Sequence, residues 1–166
     1  MLYFSNTTKG GIMKHSSTLF LQSVIFLLGI VVLYVCAFGI PWLVGTPGLG
    51  GYDPILLSLY IPAVPFFIAL FQATKLINYI DTNRAFSLLS VKAFRNIKVC
   101  AVAIAGFFVL AMPYIFYVAD KDDSPGSLLI GLVIIFAASV IATFAAVLQK
   151  LVQNAVDIKS ENDLTV

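Results

Sequence analysis

Charge is what this chain lacks. Only 11% of its 166 residues are Asp, Glu, Lys or Arg, against about 25% in a soluble domain. Histidine occurs once, at His15, so no nucleophile–base–orienter set and no zinc site can be assembled around imidazole. The two cysteines, Cys36 and Cys100, fall near opposite ends of two predicted helices. They lie about 20 Å apart in depth at 1.5 Å per residue, whereas a disulfide requires Cα atoms within about 7 Å. Both read as small apolar packing residues. The glycine run Gly48-Leu-Gly-Gly51 has neither the lysine nor the strand–helix setting of a phosphate loop. A cytosolic enzyme, a nucleic-acid-binding domain and a disordered tail are excluded on these grounds. No catalytic residue, cofactor, metal or direct nucleic-acid contact is expected.

What the chain has is apolar length. Hydrophobic residues make up 60% of it and the mean hydropathy is +1.00. A 166-residue water-soluble fold has no interior large enough to hide that excess. A spanning helix needs about 20 mostly apolar residues, and the gaps between charges leave four such windows. None alternates as barrel strands do. The first window is also too long for a signal-peptide core of roughly 7–15 residues. The predicted fold is therefore an all-α membrane protein, a four-transmembrane-helix bundle in a single domain with both termini cytoplasmic. Its parts are a leader over 1–16, a first span over 17–40, an outer loop over 41–53 and a second span over 54–80. A basic link over 81–95, a third span over 96–118, an outer acidic loop over 119–126, a fourth span over 127–152 and a tail over 153–166 complete it.

Orientation follows from the short loops, where Lys and Arg stay on the cytoplasmic side. Lys9, Lys14, Lys75, Arg84, Lys92, Arg95, Lys98, Lys150 and Lys159 all fall on one side of four alternating spans. Only Lys121 falls on the other, among Asp53, Asp120, Asp122 and Asp123. The first side is formally +5 and the second −3, which together give the chain's +2. Trp42, Tyr52, Tyr114 and Tyr117 sit at the outer boundary and Tyr79 at the inner one, as aromatic belts do.

Several groups stand out as candidate sites. Gln72, Lys75 and Asn78 follow i, i+3, i+6 spacing in the second span; they read either as a polar pocket open to the cytoplasm or as interhelical hydrogen bonding with a snorkelling lysine. Pro62, Pro65 and Pro113 each remove a helix hydrogen bond and are expected to kink the outer halves of spans two and three. Asp120, Asp122 and Asp123 form an outer acidic loop, read as solvated because sparse carboxylates without a preformed cage bind cations weakly. Ala138, Ala142 and Ala146, with Ala145 beside them, make a small-residue stripe for close helix packing. Ser87 or Ser90 is expected to cap a basic, partly apolar helix leading into span three, and Ser124 or Ser127 to cap span four. Lys92, Arg95 and Lys98, with Glu161, Asn162 and Asp163 of the tail, are the candidate docking residues for a cytoplasmic partner. The tail itself reads as a short recognition peptide or as a segment folding back on the inner link.

The chain resembles the bacterial membrane proteins grouped as domain-of-unknown-function family 2975. The resemblance is carried by Met13-Lys-His-Ser-Ser-Thr-Leu-Phe-Leu21, Pro65-Phe-Phe-Ile-Ala-Leu-Phe-Gln-Ala-Thr-Lys-Leu76 and Tyr79-Ile-Asp81. It continues in Ala85-Phe-Ser-Leu-Leu-Ser-Val-Lys-Ala-Phe-Arg-Asn-Ile-Lys98, Ala119-Asp-Lys-Asp-Asp-Ser-Pro-Gly126 and Glu161-Asn-Asp-Leu-Thr-Val166. It spans all but residues 1–12, which implies Met13 as the native start. Members of that family are often encoded beside a small helix-turn-helix transcription regulator. The resemblance therefore implies a non-enzymatic accessory or regulatory protein of the cell membrane that partners such a regulator, with the lipid bilayer as its other partner and a homo-oligomer as an option. A small transport or permeability protein is one rival reading. An immunity protein that binds a cationic membrane-active peptide through the outer acidic loop is another.

Overall fold

The computed structural model describes residues 2–44, 46–47 and 52–165, with side chains from residue 15 onward. Residues 45 and 48–51 of the predicted outer loop, and both terminal residues, lie outside the described residues. The described elements are helical: α1 (Leu2–Tyr34), a π-turn (Val35–Gly39), α2 (Ile40–Leu43), α3 (Asp53–Ser58), α4 (Tyr60–Asp81), α5 (Leu88–Lys121) and α6 (Gly126–Leu164). They supply four helices long and apolar enough to cross a bilayer, His15–Leu43, Asp53–Asp81, Leu88–Lys121 and Gly126–Leu164. The four-helix membrane fold read from the gaps between charges is the fold observed.

Lipid must clothe this surface. Phe26, Trp42, Leu110 and Phe136 are 71%, 77%, 83% and 72% exposed, a density of bare aromatic and aliphatic side chains that water does not tolerate. Small residues recur among the buried ones, Ala93, Cys100, Ala101, Ala119, Ala138 and Ala145, beside larger ones such as Ile77, Phe108 and Ile115. Lipid tails are as apolar as leucine, so helices in a membrane associate through close van der Waals contact, and small side chains permit it.

The helices pack in chain order, with the closest association between α5 and α6, then α4 and α5, then α1 and α4. Their seams repeat every seven residues. In α6, Gly131, Ala138, Ala145 and Val152 are buried, with Ile135, Ala142 and Gln149 half-buried between them. In the first span, Thr18, Gln22, Ile25, Gly29, Val32, Cys36, Gly39 and Leu43 are the half-buried positions. Alternating steps of three and four keep a seam on one side of a slightly supercoiled helix pair. The alanine stripe is thus buried at Ala138 and Ala145, while Ala142 and Ala146 flank it.

Both described turns close in the same way. Asn83 (φ 58°) and Asp123 (φ 49°) take the left-handed conformation that short polar residues tolerate. Arg84 N–H then reaches back to the Tyr79 carbonyl at 2.7 Å, and Ser124 N–H to the Ala119 carbonyl at 3.0 Å. Such Schellman closures satisfy the last carbonyls of α4 and α5. Ser87 is the cap of α5, its Oγ accepting from Ser90 N–H at 3.4 Å. The expected serine cap of α6 is absent: Pro125 holds the N-cap position, and Ser127 Oγ donates instead to the Ser124 carbonyl.

Proline breaks the helices unequally. The second span is interrupted at Leu59, between α3 and α4. The ring of Pro62, three residues on, crowds the Ser58 carbonyl and leaves it without a ladder donor. Pro65 and Pro113 lie inside helices whose ladders continue past them. The first span contains a distortion that its sequence did not announce. Ile40 N–H bonds the Val35 carbonyl, one residue beyond the α register, and Pro41 has no N–H to offer Cys36 in that register. The Tyr60 hydroxyl donates to the Cys36 carbonyl at 2.7 Å instead. Tyr60→Phe is expected to lower stability by about 1–2 kcal/mol, the cost of an unsatisfied carbonyl away from water. Thermal unfolding in detergent measures this, and an unchanged midpoint would remove the bond from the account.

Candidate functional site

Chemistry-bearing side chains gather at the basic end of the helix row. There the α4–α5 turn is held by one carbonyl. Arg84 C=O accepts from Ser87 Oγ at 2.8 Å and from Ser90 Oγ at 3.1 Å, and Ser90 is wholly buried. This clamp lets α5 start at Leu88, so much of the link expected over 81–95 is helix. Lys92 and Arg95 are exposed on that first stretch of α5. Lys98 is half-buried, and its Nζ donates to Gln149 Oε1 of α6 at 2.9 Å. Of the three basic docking candidates, two face outward and the third ties α5 to α6.

The tail neither folds back nor hangs loose. Helix α6 runs 39 residues to Leu164, about 58 Å at 1.5 Å per residue, nearly twice the roughly 30 Å hydrocarbon core. Glu161, Asn162 and Asp163 are exposed on its last turn. Gln153 Nε2 donates to Asp157 Oδ1 at 2.9 Å, bracing the helix one turn along. The seam reaches Val152, which is 8% exposed, so the start of α5 backs the root of this extension.

The members of the second-span trio differ in exposure. Gln72 is half-buried, whereas Lys75 and Asn78 are exposed. Lys75 Nζ lies 4.6 Å from the centroid of the Phe71 ring, and the Asn78 carbonyl accepts from Thr82 Oγ1. A cavity in this region lies between α1 and α4. It measures about 460 Å³, and its polar lining comes from Gln22 and Thr74. Thr18 Oγ1 donates to Asp81 Oδ1 at 3.3 Å, joining the same two helices nearer their basic end. Gln22 escaped the sequence reading, although a lone amide in an uninterrupted apolar run, spaced by sevens from Gly29 and Cys36, is a seam signal.

The acidic end is plainer. Asp120, Asp122 and Asp123 are exposed, and among the described residues no three His, Cys, Asp or Glu side chains converge as metal ligands do. Lys121 Nζ sits 4.5 Å from the Tyr117 ring centroid. Beneath this loop, Tyr52 Oη and Ser127 Oγ share a hydrogen bond of 3.3 Å over an apolar cavity of about 190 Å³ between α3, α5 and α6.

Four long apolar helices, with polar side chains collected at the ends, define a multi-pass membrane protein. The chain matches the family described as "Protein of unknown function (DUF2975)" over residues 23–166, and it belongs to that family. It is 50% identical over 160 residues, covering 93% of this chain and 100% of the relative, to "Uncharacterized membrane protein YoaS" of Bacillus subtilis (strain 168). No solved structure matches it.

Proposed function

We propose that this chain is a non-enzymatic accessory or regulatory protein of the cell membrane whose basic end docks a cytoplasmic helix-turn-helix regulator. One observation carries the reading: α6 continues as helix through Leu164, fourteen residues and about 21 Å beyond Lys150. A stalk already ordered before binding spares the entropy that a loose tail loses on docking. Its outward side is chemically mixed. Leu151 and Ile158 are 58% and 67% exposed, Glu161 and Asp163 are exposed near its tip, and Lys92 and Arg95 are exposed on the first stretch of α5. An apolar stripe flanked by both signs of charge suits a protein partner, since aliphatic anchors supply affinity and the charges set register.

Affinity-tagged membrane protein is expected to bring down the regulator encoded beside it. Deleting residues 161–166, or combining Lys92→Ala with Arg95→Ala, is expected to reduce recovery at least fivefold. Lys98 is left intact because it holds Gln149. Full recovery with both variants would overturn the docking surface.

A further inference from the structure

We propose that the groove between α1 and α4 is a binding site for an anionic phospholipid, one acyl chain lying in the groove and the headgroup resting on Lys75. The groove arises from the way the two helices meet. Gly29 presents no side chain, and the position its Cβ would occupy is 3.6 Å from Leu70 Cδ1. That close approach is local. Phe26 and Leu33 on α1, with Phe67 and Phe71 on α4, line the walls to either side and hold the helices apart around about 460 Å³.

The dimensions suit a chain of one leaflet. From Gln22 to Leu33 the lining of α1 covers eleven residue steps, about 16 Å, close to half of the roughly 30 Å hydrocarbon core. The walls are apolar, and the polar groups of the lining, Gln22 and Thr74, belong to the stretches of α1 and α4 nearer the basic side. Below them the Thr18–Asp81 hydrogen bond joins the two helices. Phe26, Ile30, Leu33 and Phe71 of the lining are exposed on the lipid-facing surface, so a chain enters from the side, out of the surrounding bilayer, with its polar end toward Gln22 and Thr74.

The charge decides which lipid. Phe71 forms part of the wall, and Lys75, one turn on, holds its ammonium 4.6 Å from the centre of that ring. No carboxylate among the described residues neutralises Lys75; Asp81, six residues on, bonds Thr18. A cation on an exposed ring at the lip of an apolar groove offers a phosphate a site that a zwitterionic headgroup fills less well.

The test uses the purified full chain in mixed micelles with equal amounts of phosphatidylglycerol and phosphatidylcholine of the same chains. Lipid retained per protein is counted by native mass spectrometry. Wild type is expected to keep phosphatidylglycerol about fivefold over phosphatidylcholine, the scale of one lysine at a membrane surface. Lys75→Met is expected to abolish the preference, and Lys75→Arg to keep it. Ile30→Trp, which fills the groove, is expected to lower retention of both lipids. Lys121→Met, at the far end of α5 where a lysine also sits on a ring but lines neither this cavity nor the one between α3, α5 and α6, is expected to leave the ratio unchanged. Equal retention by wild type, a preference that survives Lys75→Met, or full retention by Ile30→Trp would each overturn the proposal.

Discussion

Ala138→Leu combined with Ala145→Leu is expected to destabilise the protein by about 2–6 kcal/mol, because each overpacked core position typically costs about 1–3 kcal/mol. The two sites lie two turns apart on α6 and are 6% and 4% exposed. At about 10 Å separation their effects are expected to add. The cause lies in what holds α5 to α6. Without a hydrophobic drive in lipid, the pair depends on close approach, and alanine at every seventh position keeps the backbones near each other. Three added carbons at each site push the helices apart along the most closely packed seam of the molecule. Gly131→Ala is expected to cost far less. The new Cβ meets Met112 Cε at 3.1 Å, the far end of a flexible side chain that can swing aside. Phe136→Leu, at a lipid-facing position 72% exposed, is expected to be near neutral. Unfolding midpoints in detergent separate the three, and a double variant as stable as wild type would show that this seam is not what joins the helices.

Membrane sidedness gives the second large effect. In a chain whose two cysteines are replaced by alanine, Asp122→Cys is expected to react with a membrane-impermeant maleimide on intact cells. Glu161→Cys is expected to react only after permeabilisation, at least tenfold less without it. Both positions are exposed, so burial does not protect either, and the bilayer alone makes the difference. The expectation rests on nine of the ten basic residues sharing one side, since Lys and Arg in short loops resist transfer outward. A reporter enzyme active only outside the cell, fused after Val166, is expected to be silent. Labelling of Glu161→Cys on intact cells would reverse the orientation, and with it the cytoplasmic docking surface.

The candidate sites were legible in uneven measure. Lys92 and Arg95 were readable as exposed basic residues because charge has nowhere else to go in such a chain. The fate of Lys98 was not, since its acceptor Gln149 lies 51 residues away. Spacing alone grouped Gln72 with Lys75 and Asn78, yet which polar groups share a cavity depends on the neighbouring helix. It is Gln22 of α1 that lines the groove together with Thr74. The π-turn was hidden for a similar reason. Pro41 announces a missing donor, but the hydroxyl of Tyr60 that answers it comes from another helix.

Composition and the placement of charge determined by themselves that this is a membrane protein with four spanning helices, because the cost of an ion or a bare peptide group in hydrocarbon is paid locally, residue by residue. The asymmetry of Lys and Arg determined the orientation to expect for the same local reason. Only the tertiary structure decided that the helices pack in chain order, that α6 continues as helix to Leu164, and that a groove opens between α1 and α4. Those features depend on the fit between surfaces of different helices. Apolar side chains point every way around a lipid-clad helix, so the pattern that marks a buried face in water is faint here, and a few small residues spaced by sevens are its remaining trace.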